Sequence, residues 1–223
     1  MTCNINYDIV ATGSKGNAVV VEKRILIDCG VPYKWLAHHV KGLQVVLLTH
    51  IHSDHFHRIT IHRLAKERPT LRFACGEWLV KDLVDCGVAM KNIDVMASAA
   101  NHYLYHGFTV SPVPLSHNVP NCGYKILFHD GRKMFYATDT NNLNGITAKD
   151  FNLYMVEANY GTEEIQERIA QKKENGEYAY EHQVLKNHLS KEKCDDFIYS
   201  NIGSRGTYVY LHVHEDKWKE NHQ

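Results

Sequence analysis

The sequence lacks several features that mark whole classes of protein. No apolar run approaches the roughly 18 residues that a membrane-spanning helix requires. The six cysteines form no Cys-x-x-Cys pair, and the N-terminus has neither the basic nor the apolar region of a secretory signal. Lys+Arg and Asp+Glu both total 25, so the net charge indicates no nucleic-acid, membrane or acidic partner. These absences predict a reduced, cytoplasmic protein that does not bind membranes.

Histidine, by contrast, is abundant, with sixteen among 223 residues. A chain of this length accommodates one sizeable hydrophobic core, and we expect residues 1–223 to form a single domain. Short runs rich in β-branched residues, such as "AVVVEK" and "RILIDCG", alternate with segments of helical pattern. The alternation predicts an α/β fold.

Local patterns predict several element boundaries. Residues 53–69, "SDHFHRITIHRLAKERP", fit a helix whose apolar stripe is Phe56, Ile59 and Leu64. Ser190 is placed to cap a later helix. The stretch "GSKGN" lacks the GxxxxGK[ST] pattern of a phosphate-binding loop, and a hairpin turn with Gly16 or Asn17 at positive φ explains it better.

The stretch "HIHSDH" concentrates possible metal ligands directly after an apolar strand. His50 and His52 are two residues apart, so in an extended segment both side chains project to one side and reach one ion. Asp54 and His55 follow as the chain turns, where they can serve a second ion. A surface position would explain one histidine, but four ligand-type side chains in six positions favour a metal site.

"THIHSDH" resembles the HxHxDH motif of the metallo-β-lactamase fold superfamily, which builds a dinuclear metal site on a four-layer αβ/βα sandwich. The run "HNVPNCGYK" resembles a motif of ribonuclease Z, "FYATDT" supplies the aspartate that bridges the metals, and "YVYLHVHED" ends the last strand. Asp28 stands where a carboxylate would orient a ligand imidazole. The resemblance implies two divalent ions, with zinc expected and manganese or iron as alternatives. The implied ligands are His50, His52, Asp54, His55, His117, Asp139 and His212.

Three of these ligands have competing explanations. His117 can be an ordinary loop histidine, and Asp139 lies in "TDTNN", a composition typical of turns. His214 and His188 are alternatives to His212 for the last ligand position. We prefer His212 because it ends the apolar run.

Two further motifs favour the nuclease branches of the superfamily. "MVEANYG", with Glu157, and "KNHLSKE", with His188, resemble segments of ribonuclease Z and of the small YycJ-type exonucleases. Only 49 residues separate Asp139 from His188, too few for the domain that β-CASP nucleases insert there. No long Gly/Pro-rich hairpin resembles the tRNA-clamping arm of ribonuclease Z.

The resemblance therefore implies a phosphodiesterase or nuclease that acts through a metal-bridging hydroxide on a nucleic acid or a small phosphodiester. Asp54 would orient the attacking water. His188 would protonate the leaving oxygen, with Glu157 holding its tautomer. Four basic residues near this segment can contact phosphates, although surface lysines are usually only solvated. They are Lys186, Lys191, Lys193 and Arg205.

Other functions stay open at this point. Lactonases, thioester hydrolases and β-lactamases share the fold and the HxHxDH stretch, and their hydroxide attacks a carbonyl carbon instead of phosphorus. A purely structural metal site is the weakest alternative, since structural zinc sites are usually closed cages rich in cysteine and no cysteine occupies a ligand position.

Overall fold

The computed structural model describes residues 4–97 and 101–213. The chain divides into two compact units at residues 112 and 113. Each unit has its own sheet, helices and buried core. The prediction of one domain over 1–223 stays a prediction.

In the first unit the chain forms a sheet whose strand order follows the sequence. The first three strands pair antiparallel with one another, and from the third to the sixth each strand pairs parallel with the next. The fourth strand, "VVLL", is buried throughout, as its continuous apolar run predicts. The strands are β1 Tyr7–Ala11, β2 Ala18–Val21, β3 Ile25–Ile27, β4 Val45–Leu48, β5 Arg72–Cys75 and β6 Ile93–Val95. The helices are α1 Tyr33–Leu36, α2 Arg58–Glu67 and α3 Val80–Asp85. A hairpin of β7 Tyr103–Tyr105 and β8 Phe108–Leu115 follows, and β8 runs on across the boundary between the units.

The helix predicted over 53–69 is shorter than expected, because residues 53–57 form a turn and a bridge to Cys29. The ring of His57 accepts a hydrogen bond from the Thr60 amide and so caps α2 at its N-terminus. The buried face of the helix is Thr60, Ile61 and Leu64. The prediction that Ile59 belongs to the apolar stripe is wrong, since Ile59 is 75% exposed. With 3.6 residues per turn, Ile59 lies about 200° around the helix axis from the buried Ile61, and so on the opposite face.

The strands of the second unit are β9 Asn121–Phe128, β10 Lys133–Ala137, β11 Leu153–Glu157 and β12 Thr207–Leu211, and its helices are α4 Thr162–Glu174, α5 Glu181–Asn187 and α6 Lys191–Asn201. The second sheet has the strand order β12-β11-β10-β9-β8-β7. β9 and β10 are antiparallel, and their turn places Gly131 at φ 88°. β10, β11 and β12 are parallel, so their carboxyl ends meet at one edge of the sheet, where α/β proteins place their sites. Ser190 caps α6 by accepting a hydrogen bond from the Lys193 amide, which confirms that prediction.

Three of the residues that the sequence singled out have left-handed backbone. Asp28 has φ 58°, Asp139 has φ 56° and His212 has φ 51°. Each follows the end of a strand. Non-glycine residues adopt such angles rarely, and they persist where the surroundings fix them, often at functional sites. Among the described residues, no helix combines the length and apolar character needed to span a bilayer.

Candidate metal centre

In the first unit, residues 50–55 form a loop, here named the histidine loop, directly after β4. His50 Nε2 lies 3.1 Å from His52 Nδ1. The rings of His50 and His55 have centroids 4.1 Å apart. His50 and His55 are fully buried. The spacing that predicted convergence of the first two histidines thus brings their nitrogens within reach of one ion.

The buried Asp28 carboxylate holds the histidine loop in place. Its Oδ2 lies 2.7 Å from His55 Nδ1, and its Oδ1 accepts from the Thr49 amide and the Thr49 hydroxyl, each at 2.9 Å. The carboxylate keeps the His55 proton on Nδ1 and leaves the lone pair on Nε2. That tautomer is the one required of an Nε2 metal ligand.

Asn17 was missed by the sequence analysis as a site residue. Its side chain exchanges two hydrogen bonds with the Gly13 backbone, at 2.9 and 3.0 Å, which fixes which atom is the amide nitrogen. That nitrogen, Nδ2, lies 2.8 Å from His55 Nε2. Gly16 has positive φ, as expected for one of the two candidates, whereas Asn17 does not. The sequence contains no pattern that predicts contact between the turn at residues 13–17 and the histidine loop, so this contact is seen only in the structure.

In the second unit, three imidazoles surround one carboxylate oxygen. Asp139 Oδ1 lies 3.9 Å from His117 Nε2, 3.7 Å from His188 Nδ1 and 3.9 Å from His212 Nε2. The other oxygen, Oδ2, accepts from the Thr138 hydroxyl at 2.9 Å. Asp139 and His212 are buried. Oδ1 is therefore the atom that this unit places among its imidazole nitrogens.

Glu157 and His188 form the shortest contact of this cluster. His188 Nδ1 lies 2.6 Å from Glu157 Oε1, while Glu157 Oε2 accepts from the amides of Thr140 and Leu189 at 3.0 and 3.3 Å. Burial lowers the pKa of His188, but the charge and hydrogen bond of Glu157, together with the charge of Asp139, raise it above its ordinary value. The ring of His188 stacks on that of His212 at 5.1 Å.

Two asparagines that the sequence analysis did not single out hold the backbone of this cluster. Asn121 Nδ2 donates to the Thr138 carbonyl at 3.1 Å and to the Asp139 carbonyl at 2.7 Å. Asn159 Nδ2 lies 2.8 Å from His212 Nδ1 and donates to the His212 carbonyl at 2.9 Å. Both asparagines brace a residue of left-handed backbone. Their only sequence clue is position, since each stands in a stretch that resembles the family.

The donor set of each unit suits a divalent ion. All candidate atoms are imidazole nitrogens and carboxylate oxygens, the ligands that zinc, manganese and iron accept. In the second unit one ligand atom from each of Asp139, Glu157, His188 and His212 lies within 4.8 Å of the others. His214, the alternative to His212, lies outside the described residues.

The basic residues expected near phosphates are mostly engaged or solvated. Lys191 pairs with Asp195 at 2.6 Å, and Lys193 donates to the Asn141 carbonyl at 3.2 Å. Lys186 and Arg205 are exposed.

A family model described as a beta-lactamase superfamily domain matches residues 23–184. The chain belongs to this superfamily. The sequence is similar to that of exodeoxyribonuclease WalJ of Streptococcus pneumoniae serotype 2, with 24% identity over 92% of this chain and 80% of that protein.

Solved structures of the superfamily share the fold. The metallo-beta-lactamase fold protein YhfI from Bacillus subtilis superposes with a TM-score of 0.72 at 13% identity, over 97% of this chain and 90% of that one. The short form of human tRNase Z superposes with a TM-score of 0.68 at 16% identity, over 95% and 93% of the two chains. The predicted superfamily, its α/β fold with two sheets and helices, and the placement of the chain among the superfamily's hydrolases are confirmed.

Proposed function

We propose that this superfamily member is a dinuclear metal-dependent phosphodiesterase, most specifically a nuclease. The observation that carries the proposal is the Glu157–His188 pair, which stands 3.7 Å from the Asp139 carboxylate. Hydrolysis of a phosphodiester expels an alkoxide, a poor leaving group that needs a proton, whereas the leaving groups of many activated carbonyl substrates do not. An imidazole beside a metal-ligating carboxylate supplies that need.

The proposed metal ligands are those that the family motif implies, and each unit's geometry supports its own share of them. Bound divalent ions would acidify water and stabilise charge on the phosphoryl oxygens. Zinc is the expected ion, with manganese and iron as alternatives. The ligands are His50, His52, Asp54, His55, His117, Asp139 and His212.

Three side chains of this chain have proposed roles in proton movement. Asp54, partly exposed in the histidine loop, accepts a hydrogen bond from the attacking water and orients it. His188 donates a proton from Nε2 to the leaving oxygen, because Glu157 occupies Nδ1. Glu157 is a positioning residue whose second oxygen is held by two backbone amides.

Nucleic acid is the proposed substrate class. The names of two similar proteins, an exodeoxyribonuclease and a tRNase, both refer to nucleic acids. The zero formal net charge does not oppose this, because divalent ions bound at the proposed ligands would carry more charge than the ligating carboxylates and would attract an anionic phosphodiester. We also keep the cytoplasmic location as a proposal, to be tested by fractionation of cells.

A substrate panel on metal-loaded protein tests the function. It compares bis-p-nitrophenyl phosphate, single-stranded DNA, precursor tRNA, a lactone and a chromogenic β-lactam, with Asp139→Asn as the metal-deficient control. We expect cleavage of phosphodiesters, fastest with a nucleic acid. A clear lactonase or β-lactamase rate without phosphodiesterase activity would overturn the proposal.

A further inference from the structure

The second unit contains a cavity of about 160 Å³ beside the carboxyl ends of β11 and β12. Its wall is mainly apolar and aromatic, with Ile165, Val184, Tyr160 and Tyr210 among the lining side chains. Pockets for drug-sized ligands run to about 300–1,000 Å³. This cavity is therefore sized for a single small ring.

One lining side chain carries an unsatisfied acceptor. Glu181 is 3% exposed, and its Oε1 pairs with Lys172 Nζ at 2.7 Å. Its Oε2 is buried and has no hydrogen-bond partner among the described residues. Burial raises the pKa of this carboxyl, but the hydrogen bond from Lys172, an interaction with its own backbone amide and the charges of Lys172 and Arg168 outweigh this and hold the pKa below its ordinary value. A buried ionised acceptor without a donor is unfavourable, so a ligand that brings an N–H group would be stabilised here.

The charges around the cavity are balanced in pairs. Arg168 pairs with Glu164 at 2.7 Å, and Lys191 pairs with Asp195 at 2.6 Å. Lys172 neutralises Glu181 in the same way. Because no lining charge lacks an ion pair, neither an anion nor a cation is favoured. The complementary ligand is neutral, flat and apolar, with an amino group at its edge.

The cavity adjoins the candidate metal cluster of its own unit. Asn159 lines the cavity, and its side chain lies 2.8 Å from His212 Nδ1. A nucleotide whose phosphate is bound by that cluster would therefore carry its base beside the cavity.

We propose that this cavity is a base subsite that binds cytosine, a single ring whose amino group donates to Glu181 Oε2. Carboxylates accept from this amino group in base recognition, and aromatic walls stack on bases. The biological relevance of the subsite rests on the proposed nuclease function, whereas its occupancy by a nucleoside does not.

Calorimetric titration of the full-length protein with deoxycytidine and deoxyuridine tests the subsite. The two nucleosides differ at the 4-position, where an amino donor is replaced by a carbonyl acceptor that Glu181 repels. We expect deoxycytidine to bind about tenfold more tightly. Glu181→Gln, whose amide can donate to the carbonyl, should abolish or reverse that preference.

Lys172→Met is the matched control, since it breaks the same ion pair but keeps the carboxylate. It should retain the preference for deoxycytidine. Equal affinity for the two nucleosides, absent binding, or an unchanged preference in Glu181→Gln would overturn the subsite. Neither nucleoside has a phosphate, so binding is independent of hydrolysis. Phosphodiesterase activity without nucleoside discrimination would refute the subsite alone, and discrimination without phosphodiesterase activity would refute the nuclease alone.

Discussion

Asn17 and Asp54 are 37 residues apart, yet the Asn17 amide donates to the Asp54 carbonyl at 2.6 Å. The Asn17 side chain approaches the same carbonyl at 3.3 Å and His55 Nε2 at 2.8 Å. The turn between β1 and β2 thus fixes the backbone of the histidine loop. The buried Asn17 side chain therefore supports this loop together with the Asp28 carboxylate.

Asn17→Ala should lower the free energy of unfolding by about 1–3 kcal/mol, because it leaves the buried Gly13 amide without its acceptor and removes one of the two hydrogen bonds to the Gly13 carbonyl. Urea denaturation measures the loss. Ser14→Ala, an exposed change in the same turn, serves as the control and should be within about 0.5 kcal/mol of the parent. Similar losses in the two variants would show that Asn17 does not hold the loop.

Gly30→Ala should be more damaging still. A Cβ at this position would lie 1.6 Å from the Asp54 carbonyl oxygen and 2.7 Å from the His55 amide nitrogen. Both contacts are with backbone, so the histidine loop must move, at a cost of at least about 3 kcal/mol. Thermal unfolding followed by circular dichroism measures it. Gly161→Ala is the control, as its Cβ would meet no atom closer than 3.7 Å. A parent-like melting temperature for Gly30→Ala would contradict the packing described.

The sequence was most informative where one residue pattern carries both local structure and chemistry. β4 and the histidine loop follow from a continuous apolar run and the "HIHSDH" spacing, and the α6 boundary follows from the Ser190 cap. Asp28 next to His55 was expected from the family resemblance, and the 2.7 Å contact agrees with it.

What the sequence did not predict depends on contacts between distant segments. The bridge between Cys29 and Phe56 precedes α2, and the face of α2 that packs on the core holds Ile61 and Leu64 and leaves Ile59 exposed. The short helix α1, the short strands β6 and β7, and the helix α5 have weak periodicity and were not predicted. Asn121 and Asn159 donate hydrogen bonds to the backbone carbonyls of Asp139 and His212. A backbone carbonyl is present at every position, so the sequence does not show which one an asparagine will bond. For the same reason the unsatisfied oxygen of Glu181 is visible only in the fold.

Asp139→Asn should reduce metal content more than any other single substitution of a proposed ligand. The parent protein should carry close to two transition-metal ions per chain, and the variant well under one, because an amide lacks the charge of the carboxylate that we propose as a ligand shared by both ions. Elemental analysis after reconstitution with zinc or manganese is the measurement. Asp196→Asn, exposed on α6, is the control and should bind like the parent. Full metal content in Asp139→Asn would remove Asp139 from the ligand set.

His188→Ala should slow turnover without emptying the metal site, whereas His212→Ala should do both. With an alkoxide leaving group we expect a loss of about a hundredfold or more, the usual scale for a missing proton donor. With p-nitrophenolate, which leaves without protonation, the loss should be much smaller. Steady-state rates on both substrates, paired with metal analysis, separate the cases. Equal losses on the two substrates would argue against the acid role, and metal loss in His188→Ala would make it a ligand.

Glu192 should contribute to the acid sensitivity of the fold. Burial raises the pKa of its carboxyl, but hydrogen bonds from the Thr162 hydroxyl and amide outweigh this and lower the pKa to about 2. Because the folded pKa lies below the unfolded one, the stabilisation is present above about pH 4.5 and is lost as pH falls toward 2. Glu192→Gln should therefore show a shallower fall in melting temperature over that window. Glu163→Gln, an exposed neighbour at the start of α4, should keep the parent slope. Parallel curves for Glu192→Gln and the parent would contradict the assignment.

The left-handed backbone of Asp28, Asp139 and His212 limits what selection for heat resistance can do to this protein. Glycine at any of these positions would relieve about 1 kcal/mol of conformational strain while deleting a carboxylate or an imidazole. Directed evolution for melting temperature in a chelating buffer would therefore enrich glycine at Asp139 and His212 and return folded, inactive chains. Asp28 should be retained, because its carboxylate accepts from the buried Thr49 amide and hydroxyl and losing those bonds costs more than the relieved strain. The same library screened with metal present would retain the original residues, since ligand binding then outweighs the relieved strain.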